Sequence, residues 1–302
     1  MGLSRVFQEL YGELKAIKTN GFEAILDNLI NVRRTWTLDD KAIRGLGKSE
    51  SLSDTNTYLS LVELAASNEA YFEKFKSNTG YRKILEHVSR RFGQEYWEVI
   101  QQYENGNSRL NEYISRDFCE PYRFTYSGIG RVSSTNLRYA KISLDLEKLF
   151  GSTKLLNIIE VGIGYGGQAV AIHELNCFAS YQLVDLPPVQ KLAEKYLKTF
   201  YPSVISKLAK SNDNWDLLIS NYAFSELSRE IQDEYMEKYI KKSKRGYVIF
   251  NDITDNLFST FSISEFIEKI PGAELVNEFP LTYPRNKLIV WGHSNIDSLI
   301  QK

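Results

Sequence analysis

A glycine-rich stretch in the middle of the chain has the residue types and spacing needed to hold a nucleotide-like cofactor. Residues 155–161 are mostly apolar and rich in β-branched side chains, which indicates a buried strand. Gly162, Gly164, Gly166 and Gly167 follow at once, and a helical pattern begins after them. A glycine turn between a strand and a helix lets the backbone approach a ligand that a Cβ would touch. The stretch therefore predicts a cofactor-binding loop.

Two cofactor patterns fit the same glycines. Gly162, Gly164 and Gly167 match the G-x-G-x-x-G spacing of dinucleotide-binding loops. Glu160, followed by glycines at 162, 164 and 166, also matches E-x-G-x-G-x-G, which resembles the first motif of class I S-adenosylmethionine (SAM) methyltransferases. The glycines alone leave both patterns open, together with a glycine turn that binds no ligand.

An acid at the end of the next predicted strand weighs against a turn without a ligand. Asp185 closes the apolar run 181–185 and follows the glycines by about 20 residues, the separation typical of a ribose-binding acid. At the tip of a strand beside the glycine loop, its carboxylate could accept hydrogen bonds from both ribose hydroxyls. We therefore expect a cofactor that contains a ribose.

The composition is that of a soluble globular protein of one large domain or two smaller ones. The chain has 302 residues, of which 43% are hydrophobic and 25% charged, and the formal net charge is −1. This charge predicts no general attraction to nucleic acid or to an acidic membrane. The first residues lack a hydrophobic signal core, and no apolar run approaches the roughly 20 residues that cross a bilayer. We expect a cytoplasmic protein with no membrane span.

The metal-binding residue types are few and scattered. Cys119 and Cys177 lie in no C-x-x-C or Cys/His pattern, and free thiols are expected. His87, His173 and His293 have no partner at ligand spacing, and His173 is expected to pack within a helix. The sequence predicts no metal site.

The second half of the chain predicts a Rossmann-like α/β fold. Strand and helix patterns alternate after residue 150, which indicates a mostly parallel sheet with helices on both faces. A short strand is also expected near Val204. The last two predicted strands, 273–279 and 286–291, are joined by a short connection, so the final strand should run antiparallel.

The first part of the chain predicts helices. Apolar residues keep helical spacing over 59–75 and, for about six turns, over 81–103. Residues 121–134 are predicted to be a loop, and a helix is expected over 137–150. The sequence therefore divides into a helical region, residues 1–120, and a cofactor-binding domain, residues 121–302. The helical region is expected to form a lid, a dimerisation surface or both, which makes a homo-oligomer one of the expected states.

The antiparallel ending resembles the sheet of class I SAM-dependent methyltransferases and favours SAM over a nicotinamide cofactor. More narrowly, residues 137–139, 160–167, 183–187 and 221–227 resemble the bacterial family of sugar O-methyltransferases. The resemblance implies transfer of a methyl group from SAM to a hydroxyl of a small molecule, a sugar or a glycan precursor. It implies cofactor contacts from Arg138, Glu160, Gly162, Gly164, Gly166, Asp185, Leu186, Ser220 and Asn221.

A hydroxyl that accepts a methyl group must lose its proton, so a general base is expected near the strand tips. Glu226 and Asp252 follow two predicted strands, and Glu226 is the first candidate because it lies in one of the resembling segments. Tyr222 is the next candidate. The alternatives are a helix-start acid for Glu226, a turn residue for Asp252, and a surface or interdomain salt bridge for Arg138.

Two further functions remain open from the sequence. An NAD-dependent oxidoreductase would use the same glycine loop for a nicotinamide cofactor. A non-catalytic scaffold would keep the Rossmann-like fold for interactions alone.

Overall fold

The structure, a computed structural model, describes residues 23–43, 55–103, 108–209, 214–251 and 259–299. These residues contain a two-stranded hairpin and a six-stranded sheet. The strands are β1 Phe124–Tyr126, β2 Gly130–Val132, β3 Asn157–Val161, β4 Ser180–Val184, β5 Leu217–Asn221, β6 Gly246–Phe250, β7 Glu274–Asn277 and β8 Lys287–Trp291.

The large sheet has the strand order β4-β3-β5-β6-β8-β7. Strands β4, β3, β5 and β6 are mutually parallel, whereas β8 runs antiparallel to both β6 and β7. This confirms the predicted Rossmann-like sheet with an antiparallel last strand. The chain leaves β3 for β4 on one side and later returns to β5 on the other, so a crevice is expected at the carboxyl end of β3.

Helices cover both faces of the sheet. Alternate residues of β3 point to opposite faces, and Ile158 and Ile159 accordingly belong to two different buried clusters. The helices are α1 (residues 23–34), α2 Asn56–Ser67, α3 Glu69–Phe72, α4 Thr79–Ile84, α5 Arg90–Tyr103, α6 Ser108–Ser115, α7 Ser134–Phe150, α8 Gly167–Leu175, α9 Pro187–Phe200, α10 Pro202–Ile205, α11 Arg229–Tyr235 and α12 Ile263–Glu268.

Two predictions for the connections were wrong. The strand expected near Val204 is the short helix α10, which has Pro202 in its first turn, where proline needs no amide hydrogen. The loop expected over residues 121–134 contains the β1–β2 hairpin. Glycine at 128, with φ +86°, permits the tight turn between those strands.

The long helix predicted over residues 81–103 is broken in the structure. Helix α4 ends at Ile84, and α5 begins at Arg90. The hydroxyl of Ser89, just before α5, accepts a hydrogen bond from the Phe92 amide. The apolar spacing continues across this break, so periodicity alone did not reveal it. The break places Leu85 and Glu86 in a short connection. The helix predicted over 59–75 is likewise divided, into α2 and α3.

The N-terminal helices pack directly on the helices of the sheet. Helix α2 contacts α9, and α5 contacts α7. One buried cluster includes Leu61 and Ile100 from the first group together with Ala169 and Leu197 from the second. The division at residue 120 stays a prediction, and residues 1–22 and 44–54 lie outside the described residues. None of the described helices has both the length and the hydropathy needed to cross a membrane.

Candidate functional site

The predicted cofactor loop is a tight turn between β3 and α8. Glycine residues at positions 162, 164 and 166 have φ values of +83°, +53° and +84°, in the left-handed region that favours glycine. The Gly162 amide donates to the Val184 carbonyl over 2.9 Å, and the Gly166 amide donates to the Ile163 carbonyl over 2.9 Å. These bonds tie the loop to the tip of β4 and start helix α8.

Asp185 fixes the backbone of this loop. Its Oδ2 atom accepts hydrogen bonds from the amides of Ile163 and Gly164 over 2.9 and 3.3 Å. Its Oδ1 atom accepts one from the Leu186 amide over 2.8 Å, where α9 begins. The sequence predicted the position of this acid beside the glycines but not its bonds to them. Asp185, the residue predicted to bind the ribose, therefore also supports the structure of the loop.

Glu160 lies in the interior beneath the loop. Its side chain is buried, and its Oε2 atom accepts a hydrogen bond from the Tyr181 hydroxyl over 2.9 Å. Burial raises the pKa of Glu160 to about 8, the Tyr181 hydrogen bond lowers it, and the Asp185 carboxylate raises it. A cation placed near Glu160 would favour its ionised form.

Protein side chains approach the glycines closely. A Cβ on Gly164 would lie 2.8 Å from the Cδ1 atom of Leu85. A Cβ on Gly162 would lie 1.9 Å from the Cβ atom of Ala223. Leu85 belongs to the connection between α4 and α5, so the N-terminal helices reach the carboxyl edge of the sheet. The sequence explained these glycines by contact with a ligand. The structure shows that packing within the protein also requires them.

Arg138 is an interior residue of α7, one turn after the start of the helix at Ser134. It is only 4% exposed, and its Nη2 atom donates to the Leu85 carbonyl over 3.5 Å. Its guanidinium lies 5.2 Å from the Tyr139 ring centroid and 5.9 Å from that of Tyr222. Across the described part of the chain it forms no ion pair, and its Nε atom has no hydrogen-bond partner. Neither a surface nor an interdomain salt bridge of Arg138 is therefore observed among the described residues.

The tip of β5 carries one fully bonded side chain and one with an unused acceptor. The Ser220 hydroxyl donates to the Val161 carbonyl over 3.0 Å and accepts from the Phe224 amide over 3.1 Å. Asn221 donates through Nδ2 to Gln168 over 3.5 Å. Its buried Oδ1 atom accepts no hydrogen bond from any described residue. Ser220 thus joins β3 to β5, whereas Asn221 has an acceptor available for a ligand.

Tyr222 is held by an acid that the sequence did not single out. Its hydroxyl donates to Oε1 of Glu278, which follows β7. Glu278 also accepts from the Thr282 amide over 3.0 Å and from Asn286 Nδ2 over 3.0 Å. Burial and the Glu278 carboxylate raise the pKa of Tyr222 well above its ordinary value. The phenol therefore stays protonated near neutral pH, and its one proton is donated to Glu278.

Glu226 lies between the tips of β5 and β6. It ends the 3₁₀ turn Ala223–Glu226 and precedes helix α11, so it is not the helix-start acid considered from the sequence. Its Oε1 atom accepts from Asn251 Nδ2 over 3.0 Å. Asp252, the other predicted base, lies outside the described residues.

A cavity adjoins the Glu278 network and is lined in part by Tyr96, Lys141, Tyr247, Glu278 and Leu299. In the described ranges, no group of three or more His, Cys, Asp or Glu side chains could hold a metal ion. Cys119 and Cys177 are free thiols, as expected.

Comparison with known proteins gives only distant structural likenesses. No protein-family model and no curated protein matches the chain. The chain is similar to the mitomycin 7-O-methyltransferase MmcR, with 13% identity over 80% of this chain and 71% of that one, at a TM-score of 0.40. A proposed O-methyltransferase from Nostoc punctiforme PCC 73102 shows 14% identity over 52% of this chain and 56% of its own length, at a TM-score of 0.39.

A third likeness is to a proposed SAM-dependent methyltransferase from Methanococcus maripaludis. It has 14% identity over 52% of this chain and 85% of that one, at a TM-score of 0.39. These likenesses are too distant to carry an argument about chemistry. The assignment of the fold rests on the observed strand order.

Proposed function

We propose that the protein is a SAM-dependent methyltransferase that methylates a hydroxyl oxygen. The observation that carries the proposal is the antiparallel strand β8 between β6 and β7, in a sheet whose glycine loop follows β3. A dinucleotide-binding domain consists of two βαβαβ halves. The second half of this sheet ends instead in an antiparallel pair, which favours SAM over NAD.

The residues around the glycine loop fit the parts of SAM. Asp185 would accept hydrogen bonds from the ribose hydroxyls, and Arg138 would donate to the carboxylate of the methionine end. Glu160 would favour the positive charge of the sulfonium through its ionised form. The bound cofactor would supply an electrophilic methyl group on sulfur. Leu85 covers the loop at Gly164 and supports a lid role for the N-terminal helices, which would exclude water.

The acceptor is proposed to be a sugar or a glycan precursor. The resembling segments support this choice, and so do two carboxamide oxygens near the tips of β5 and β6. Asn221 and Asn251 each have a buried Oδ1 atom with no donor among the described residues. The Asn251 amide group faces Glu226, which accepts when ionised, so its oxygen must face the other way. Neighbouring hydroxyl groups of a sugar could donate to such oxygens.

Glu226 is the proposed general base. It lies at the sheet edge where the acceptor would meet the methyl group, and Asn251 fixes one of its oxygens. Asp252 remains the second candidate. Tyr222 would orient the acceptor by accepting a hydrogen bond through its phenol oxygen, because its one proton is donated to Glu278 and its raised pKa keeps the phenol protonated. The base would hold the hydroxyl proton as the new carbon–oxygen bond forms.

Incubation with methyl-labelled SAM and a panel of sugar nucleotides and glycans tests the proposal. We expect the label to appear in a methyl ether of one acceptor class, and to be lost in the Glu226→Gln or the Asp252→Asn variant. Binding of SAM without any methylated product across a broad acceptor panel would favour a non-catalytic scaffold. Reduction of NAD by a substrate would favour the oxidoreductase.

A further inference from the structure

A second acid, Glu86, lies buried in the connection that packs on the glycine loop, with no bonding partner among the described residues. It is 4% exposed and belongs to the connection between α4 and α5. Within the described ranges its carboxylate makes no hydrogen bond and no ion pair, and its Oε1 atom is completely enclosed. A buried carboxylate is stable only when a cation or hydrogen-bond donors compensate for the loss of water. Glu86 therefore needs a partner that the described residues do not supply.

Several contacts place Glu86 next to the cofactor loop. Its neighbour Leu85 packs on Gly164. The rings of Tyr139 and Tyr165 both lie against Gly167, within 2.4 and 2.8 Å of the position that a Cβ would take there. The Glu86 charge contributes to the raised pKa values of both tyrosines. Glu86 thus belongs to a connection that packs on the loop, and its charge acts on the two tyrosines that pack where helix α8 begins.

Arg138 supplies a charge of opposite sign that has no ion-pair partner among the described residues. Its Nε atom is buried without a hydrogen-bond partner in the described chain. Burial raises the pKa of Tyr139 to about 12, while Arg138 lowers it and Glu86 raises it. Arg138 also donates to the carbonyl of Leu85, the residue before Glu86, so both charged residues meet at the same connection. A zwitterion, with one ammonium and one carboxylate, is the simplest ligand that would neutralise both.

We propose that Glu86 and Arg138 bind the α-amino acid group of the cofactor, with Glu86 accepting from the ammonium and Arg138 donating to the carboxylate. The inference rests on the proposed function and adds to it a cofactor ligand from the N-terminal helical region. Helix α5 and its preceding connection would then belong to the cofactor site as well as to the lid.

The alternative is that Glu86 only balances nearby cations. Lys76 is the main candidate, but it already lies 3.8 Å from Asp117 and 3.8 Å from the Tyr165 ring centroid. It also donates to the Tyr196 hydroxyl over 3.2 Å. A balancing role would make Glu86 necessary for stability, whereas a ligand-binding role would not.

Calorimetry with two ligands tests the inference. S-adenosylhomocysteine carries the α-amino acid group, and 5′-methylthioadenosine lacks it. We expect Glu86→Gln and Arg138→Met each to weaken S-adenosylhomocysteine binding by about 10-fold to 100-fold, the range for a hydrogen bond to a charged group. Binding of 5′-methylthioadenosine should stay within about twofold. Glu98→Gln, which alters an exposed acid on α5, is the matched control and should change neither affinity.

Thermal unfolding of the ligand-free variants provides the second readout. Glu86→Gln should have a Tm equal to or above that of the wild type, because it removes an uncompensated buried charge. A lowered Tm with normal S-adenosylhomocysteine affinity would overturn the inference in favour of charge balance. Equal losses for both ligands would also overturn it. If the wild type binds neither ligand, the proposed function itself fails, and the inference fails with it.

Discussion

Leu85 and Gly164 are in close contact, although they come from the helical N-terminal region and from the glycine loop of the sheet. A Cβ on Gly164 would lie 2.8 Å from Leu85 Cδ1 and 3.2 Å from Cδ2. Arg138 lies beside this contact and donates to the Leu85 carbonyl. The contact joins the proposed lid to the proposed cofactor loop, so changes on either side should affect both.

Substitution of Gly164 by alanine should destabilise the protein more than an equivalent change in a free turn. The left-handed backbone alone costs about 1–2 kcal/mol for a non-glycine residue. Displacement of Leu85 should add about 1–3 kcal/mol. Gly128→Ala is the matched control, because Gly128 also has positive φ but, apart from its chain neighbours, no described residue has an atom within 4 Å of its Cβ position. Urea unfolding measures the free energy of unfolding of both variants. Equal losses would show that Leu85 moves aside without any loss of stability.

Asp185→Ala should abolish discrimination between ribose and a ribose without hydroxyls. The wild type should bind S-adenosylhomocysteine more tightly than an analogue lacking both ribose hydroxyls, by about 1.5–3 kcal/mol per charge-assisted hydrogen bond. The variant should bind the two ligands with similar, lower affinity. Calorimetry provides all four constants. If the variant weakens both ligands equally and keeps the preference, Asp185 acts only through its bonds to the loop amides.

The free energy of unfolding should fall as the pH rises from about 5 to 8. Burial raises the pKa of Glu160 to about 8 and that of Asp117 to about 7, so the folded state binds more protons than the unfolded chain. The stabilisation from each carboxyl group is fully present below its pKa in the unfolded chain. It is lost as the pH rises to its pKa in the folded protein. Each group contributes a slope of at most about 1.4 kcal/mol per pH unit.

Two variants assign that pH dependence to its residues. Glu160→Gln should flatten the slope between pH 7 and 8, where Asp117 has already titrated. Asp117→Asn should flatten it only below pH 7. Urea unfolding at each pH gives the slopes. Stability that rises with pH between 7 and 8 in the wild type would contradict the raised pKa of Glu160.

Glu226→Gln should reduce turnover by about 10²–10⁴-fold, the range for loss of a general base, while SAM affinity stays unchanged. Asp252→Asn is measured in parallel as the second candidate. Tyr222→Phe should keep the pH dependence of turnover, because its protonated phenol is not the base. Initial rates of methyl transfer to the true acceptor measure the turnover of each variant. Normal turnover in both acid variants would exclude Glu226 and Asp252 and direct attention to Tyr126 and the rest of the 121–134 segment.

The sequence predicted the sheet well, because alternating strands and helices with a terminal antiparallel pair leave few possible arrangements. It also placed Asp185 beside the glycines, since the tips of neighbouring parallel strands meet at one edge. The positions of Glu160, Ser220 and Asn221 at the ends of strands followed for the same reason.

Contacts between distant parts of the chain were not predictable. Leu85 and Glu86 lie within an unbroken apolar periodicity, which hid the end of α4. The one local signal was Ser89, a residue type that favours the start of a helix. Glu278 follows β7 and belongs to no recognisable motif, and only the folded chain brings it to Tyr222. Its role could not be read from spacing along the sequence.

The most direct test of the proposed function is a comparison of cofactor binding by calorimetry on the full chain. S-adenosylhomocysteine, SAM and NAD are each titrated into the ligand-free protein under identical conditions. The proposed function predicts saturable one-to-one binding of S-adenosylhomocysteine and SAM, and no binding of NAD at the same concentrations. Saturable binding of NAD with no binding of SAM or S-adenosylhomocysteine would contradict it.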